Sequence, residues 1–371
     1  MEKIKQYRGF QNAWWIVLIT FTASLLSGAL AVLGERWFPV KEMTFWLMLV
    51  SEAALAIPAA LALIWAKAMT PYYSMKDIMG LHAFDPRILL ILIALPICGQ
   101  SYFTLAAWPA NALLSGLFGD AQQMEQMSPG TLGQTAALFG ALCILAPIFE
   151  ELIFRGGIIH MLDRYGNVFA VLVSGAMFAM VHFNPSFIVI YFALGALLGL
   201  VRYVTGSVIP CMIIHMANNF VGFLQLVFLR EFTKLAAAAP APLIAEEVVL
   251  AIAFPLLLLW MLKILGVRVN FTKAYARPRF SVGALIFALI FSAACWFSAI
   301  NDGAMGSLRY MRDAYESARD REYGGSTAPF HSTPYYGGGE DTQPYGYDDS
   351  LEEFFENFFG EYGGADYGSD W

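Results

Sequence analysis

Nine blocks of apolar residues, separated by short polar connections, fill the chain up to residue 300, and their lengths predict helices rather than strands. The first runs from Trp14 to Leu33, the second from Phe45 to Trp65, and the third from Ile88 to about Leu105 with a continuation toward Leu117. The fourth begins near Leu132 and keeps a helical pattern to Leu162. That is more than a bilayer core needs, so a tilted or protruding helix is expected. Gly166 and Asn167 break it. The fifth, Val168 to Phe183, stops at the turn signal Asn184-Pro185. The sixth, Phe187 to Val204, contains Gly195-x-x-x-Gly199, a spacing that lets helix backbones approach closely. Val208 to Leu229, Leu243 to Leu265 and Ser281 to Ile300 complete the series.

Composition fixes the setting of these helices. The 371 residues are 58% hydrophobic and only 14% charged, and the mean hydropathy is +0.58. An all-α, polytopic membrane protein with about nine transmembrane helices is the predicted fold class. The basic start (Lys3, Lys5, Arg8) and Ala29-Leu30-Ala31 suggest a secretory signal. A signal's apolar core is only ~7–15 residues, so an uncleaved first span is expected. Four segments follow: N-terminal membrane helices over 1–129, motif-bearing helices over 130–230, C-terminal helices over 231–301, and a tail over 302–371.

The distribution of lysine and arginine predicts the topology. With the N-terminus inside, Lys67, Lys76 and Arg87, then Arg155 and Arg164, Arg202, and the Lys263–Arg279 cluster all fall on the cytoplasmic side. Opposite loops hold Arg36, Lys41, Arg230 and Lys234, so the positive-inside rule holds in every comparison but the first, a near tie. A multi-pass protein of the cell membrane with a cytoplasmic N-terminus is expected. The net charge of −7 misleads as an average. Beyond Glu322 the tail has ten acidic residues and no lysine or arginine, amid Gly, Tyr, Ser and Pro. Such a segment is predicted to be disordered, with Leu351–Phe359 as an acidic-aromatic patch suited to ordering on a partner. No basic stripe supports nucleic-acid binding. Cys98, Cys143, Cys211 and Cys295 each lie alone in an apolar run and read as small core residues.

Against this background, a few polar groups inside the apolar runs stand out. Glu150, Glu151 and Arg155 lie in the fourth, and three ionisable groups there are costly unless paired or facing a wet cavity. Glu151 and Arg155 are four apart, on one helix face, and are expected to pair. Glu150 points about 100° away and has no partner within its own helix. The fifth run holds Phe178 and His182. The seventh holds His215, Asn218 and Asn219, with His215 and Asn219 sharing a face. Glu52, Glu246 and Glu247 are the main other ionisable groups in the runs. Depth poses a difficulty: Glu150 should lie nearer the cytoplasmic side of its helix, and His182 near the far end of its own.

E-E-x-x-x-R at Glu150, Glu151 and Arg155, F-x-x-x-H at Phe178 and His182, and H-x-x-x-N at His215 and Asn219 occur in that order. Together they resemble the three motifs of the CPBP family (CAAX proteases and bacteriocin-processing enzymes, or Abi proteins), over roughly residues 130–230. The resemblance implies an intramembrane endopeptidase acting on a membrane-associated or prenylated protein or peptide. By position, Glu150 and His182 would activate water, His215 and Asn219 would stabilise the oxyanion, and Arg155 would hold Glu151. Phe178 completes the second motif. The ninth run and the tail lie outside the family's usual eight-helix plan.

Two other chemistries use the same residues. Glu150, His182 and His215 are a conceivable zinc ligand set, although H-E-x-x-H is absent and the ligands come from separate helices. The preferred reading requires no cofactor. Intramembrane Glu and His chains also serve proton-coupled transporters, but no internal repeat of the kind transporters show is present.

Overall fold

The computed structural model describes residues 8–37, 41–118, 129–228, 240–267 and 280–301, together with 272 and 278. The loop expected over 119–130 falls outside it except for its last two residues. So do most of the 230–242 linker, Arg268, Lys273, Arg277 and Arg279 of the basic cluster, and the acidic tail. Among the described residues every regular element is helical, and each apolar run forms a helix.

The helices are α1 (Gly9–Trp37), α2 (Lys41–Ala54), α3 (Ala56–Met69), the short α4 (Met75–Met79), α5 (Leu89–Phe118) and α6 (Leu132–Tyr165). They continue with α7 (Asn167–Val181), α8 (Ile188–Thr205), α9 (Ile209–Val227), α10 (Pro240–Leu265) and α11 (Val282–Asn301). Six stretches are long and apolar enough to cross a membrane: Phe45–Met69, Pro86–Ser115, Leu132–Tyr165, Pro185–Thr205, Ile209–Val227 and Ala241–Leu265. α7 and Val282–Cys295 are shorter apolar helices. The chain is an integral, multi-pass membrane protein.

Departures from straight helix have local causes. The second run divides at Leu55, because Pro58 has no N–H to give the Ala54 carbonyl. α5 carries Pro96 and Pro109 and still continues to Phe118. The 70–85 link is more ordered than its polarity suggests. Ser74 and Asp77 form a capping box at the start of α4. Hydrogen bonds from Ser74 hold the Asp77 carboxyl below the usual carboxylate range.

Glycines set the tightest helix contacts. A Cβ on Gly195 would fall 2.9 Å from Gly175 Cα, and one on Gly175 would fall 2.9 Å from the Ala196 nitrogen. α7 and α8 therefore touch backbone to backbone, the close approach expected of small residues in membrane helices. Gly199 rests on Val171 in the same seam. A Cβ on Gly157 would sit 2.6 Å from Ala62 Cβ, so α6 lies equally close to α3. Aromatic contacts complete the bundle. Phe254 of α10 stacks on Tyr102 of α5 at 4.9 Å, and Phe287 of α11 meets Phe21 of α1 at 5.1 Å.

Candidate functional site

The site forms on α6, which is irregular there. π-helical turns over Gly140–Leu145 and Leu152–Ile158 flank the α-helical segment Ala146–Glu151. A π turn shifts the backbone bonds by one residue and leaves carbonyls open to outside donors, and such turns recur at functional sites. Two are met by side chains of other helices. Asn219 Nδ2 donates to the Leu142 carbonyl at 2.9 Å, and Arg202 Nε donates to the Arg155 carbonyl at 3.3 Å.

Glu151 and Arg155 are both fully buried, and Arg155 Nη1 donates to Glu151 Oε1 at 3.0 Å. The pair expected from their spacing is present, and it is part of a larger network. Arg155 Nη2 donates to the Gly195 carbonyl at 2.9 Å, and the guanidinium lies 4.6 Å from the centre of the Phe178 ring. The same Glu151 oxygen accepts from His215 Nδ1 at 2.9 Å. Charge pairing, a backbone acceptor and an aromatic face together make a buried guanidinium tolerable.

Glu150 faces elsewhere, as its offset on the helix requires. Its Oε2 lies 3.8 Å from His182 Nε2 and 3.9 Å from His215 Nε2. This oxygen is buried and has no hydrogen-bond partner among the described residues. Both imidazoles are oriented from behind. The Phe178 carbonyl, which can only accept, is 2.7 Å from His182 Nδ1, so that nitrogen carries the hydrogen. Glu151 fixes His215 Nδ1 in the same way. Each ring thus turns its Nε2 toward Glu150. His182 is also stacked on Tyr191 at 4.3 Å.

The apparent mismatch in depth disappears. Gly166, with φ of 93°, turns the chain between α6 and α7, and Glu150 and His182 each stand sixteen residues from it. At a similar rise on both sides they reach the same level. α7 stops at Val181, and Phe183 (φ 45°) begins the reversal into α8.

Six of the seven residues singled out in the sequence, Glu150, Glu151, Arg155, Phe178, His182 and His215, therefore lie in one connected cluster. Asn219 sits one turn beyond His215 and joins α9 to α6 through Leu142. Two further participants, Tyr191 and Gln100, were not read from the sequence. Tyr191 gave no signal, being one aromatic among many. Gln100, a lone amide in the third run, was visible as such; its Nε2 donates to the Asn218 carbonyl at 3.0 Å. Glu52 of α2, one of the ionisable groups noted in the apolar runs, has a buried oxygen without a partner among the described residues. Glu246 and Glu247, by contrast, are exposed on α10.

The proposed zinc ligands Glu150, His182 and His215 meet only through one carboxylate oxygen. Among the described residues no group of three or more His, Cys, Asp or Glu side chains is placed to hold a metal ion.

The family model of type II CAAX prenyl endopeptidase, Rce1-like, matches residues 132–221. No curated protein and no solved structure matches the chain. The matched segment starts at the first turn of α6 and ends within α9, so it contains all three motifs and the contacts among them. Over this segment the chain is similar to the type II CAAX prenyl endopeptidases, which supports the resemblance that the three motifs carry.

Proposed function

We propose that the chain is an endopeptidase that hydrolyses a peptide bond of a membrane-associated or prenylated protein or peptide, with Glu150 as the base. The observation that carries this reading is the convergence of two oriented imidazole Nε2 atoms on one unpartnered oxygen of Glu150. Gaps of 3.8 and 3.9 Å are too long for direct hydrogen bonds and suit a bridging water.

In this reading Glu150 takes a proton from that water while its oxygen attacks the scissile carbonyl carbon. His182 Nε2 accepts the water's other hydrogen bond and aims its lone pair. The carbonyl oxygen becomes an oxyanion and is met by Asn219 and by His215. In its protonated form His215 donates at both nitrogens, from Nδ1 to Glu151 and from Nε2 into the site. The proton on Glu150 then passes to the leaving nitrogen as the C–N bond breaks. General-base action of this kind is worth ~10²–10⁴-fold, and one oxyanion donor ~10²–10³-fold. No step passes through a metal.

The substrate class follows from the site's setting. Glu150 lies within a span that crosses the membrane, so the scissile bond must come from a chain held at the bilayer. A prenylated C-terminus meets that condition, as does a membrane-anchored peptide. The cell membrane with a cytoplasmic N-terminus remains the location that the lysine and arginine distribution supports.

The test is cleavage in lipid. Purified protein is incubated in liposomes with matched farnesylated and unmodified peptides ending in Cys-a-a-X, and the products are read by mass spectrometry. A single internal cleavage of the lipidated peptide is expected. Intact peptides throughout, with proton flux across the same liposomes, would replace this reading by the transporter.

A further inference from the structure

Asn219 carries its amide in a defined orientation, and the reason lies on a helix outside the family segment. Asn219 Oδ1 accepts from Asn218 Nδ2 at 3.2 Å, and Asn219 Nδ2 donates to the Leu142 carbonyl at 2.9 Å. Turning the amide over would set two NH2 groups against each other and an oxygen against an oxygen. One orientation therefore satisfies both contacts. It leaves one N–H of Asn219 unused by either bond.

The orientation of Asn218 depends in turn on α5. Gln100 Nε2 donates to the Asn218 backbone carbonyl at 3.0 Å and to its Oδ1 at 3.3 Å. With Oδ1 held by Gln100, the Nδ2 of Asn218 is the end that faces Asn219. We infer that Gln100 is a positioning residue, which through Asn218 directs the remaining N–H of Asn219 toward the carbonyl oxygen of the scissile bond. The inference rests on the role proposed for Asn219 and adds a residue far from the motifs in sequence. The chain Gln100, Asn218, Asn219, Leu142 ties α5 to α9 and α9 to α6. A half-buried amide in a membrane helix is costly to leave unpaired, so its two acceptors on Asn218 also explain why it is tolerated.

The experiment is a double-mutant cycle on cleavage of a farnesylated Cys-a-a-X peptide by the full chain in liposomes. Gln100→Met keeps the length of the side chain and removes the donor. The expected result is a fall in kcat of about tenfold with KM little changed, below the ~10²–10³-fold of losing an oxyanion donor outright. In the Asn219→Ala background the same substitution should have no further effect, because the group it directs is gone. An equal loss in both backgrounds, or a change in KM alone, overturns the inference. Wild-type kcat in Asn219→Ala would instead overturn the role of Asn219 itself, so the two failures are distinguishable. Should Gln100→Met not accumulate as folded protein, Asn218→Leu breaks the same relay one step later and must show the same non-additivity.

Discussion

His215 of α9 donates from Nδ1 to Glu151 Oε1 at 2.9 Å, while its Nε2 faces Glu150 from 3.9 Å. One imidazole thus stands between two adjacent glutamates with different surroundings. Each has a buried Oε2 without a hydrogen-bond partner among the described residues, but Glu151 is tied through Oε1 to Arg155 and His215, whereas the unpartnered oxygen of Glu150 faces two imidazole Nε2 atoms. Adjacent positions on a helix diverge by about 100°, which is how two neighbouring carboxylates acquire separate tasks.

Glu151→Gln should be a stability variant first. It removes the charge opposite a fully buried guanidinium, and breaking a buried pair from one side costs about 3–5 kcal/mol. Thermal unfolding in detergent should show a lower midpoint and reduced yield. The exchange Glu151→Arg with Arg155→Glu should not restore stability. Arg155 also donates to the Gly195 carbonyl and lies over Phe178, and Glu151 also accepts from His215. Recovery to wild-type stability in the exchanged protein would mean that only the pair matters.

The α7–α8 seam gives a prediction of opposite character. Gly195→Ala places a Cβ 2.9 Å from the backbone of Gly175, which cannot step aside as a side chain can. Loss of folded protein is expected. Gly222→Ala is the control, since nothing lies within 4 Å of its Cβ, and replacing a helical glycine there should leave stability equal or raised by about 0.5–1 kcal/mol. Equal behaviour of the two variants in a thermal-shift assay would contradict the close contact.

Much of this arrangement was readable from residue types and spacing, and the limits have physical causes. The pairing of Glu151 with Arg155 and the separate direction of Glu150 follow from helical geometry alone. The common depth of Glu150 and His182 does not. It depends on the chain reversing at Gly166, sixteen residues from each, so that α6 and α7 run back alongside one another, which is a tertiary fact. The π turns of α6 were equally hidden, since they arise from how the helix packs on its neighbours. His215 reads in the sequence as an oxyanion residue, or as one member of a zinc ligand set. That its other nitrogen is held by Glu151 is a tertiary fact, set by how α9 lies against α6.

Topology is tested independently of chemistry. With Cys98, Cys143, Cys211 and Cys295 replaced, single cysteines at Ser74 and Gln122 should label from opposite sides. Position 74 should react from the cytoplasmic side, and Ser74 is exposed in the α3–α4 connection. Labelling of position 74 from outside would invert the assignment.

The central claim is that Glu150 is the base, and Glu150→Gln tests it most directly. The substitution keeps size and hydrogen bonding and removes the proton acceptor. Thermal stability and cleavage of a farnesylated Cys-a-a-X peptide are measured on the same purified sample in lipid. The account predicts turnover lower by at least ~10²–10⁴-fold with the unfolding midpoint nearly unchanged. A stable Glu150→Gln protein that cleaves at the wild-type rate would contradict it.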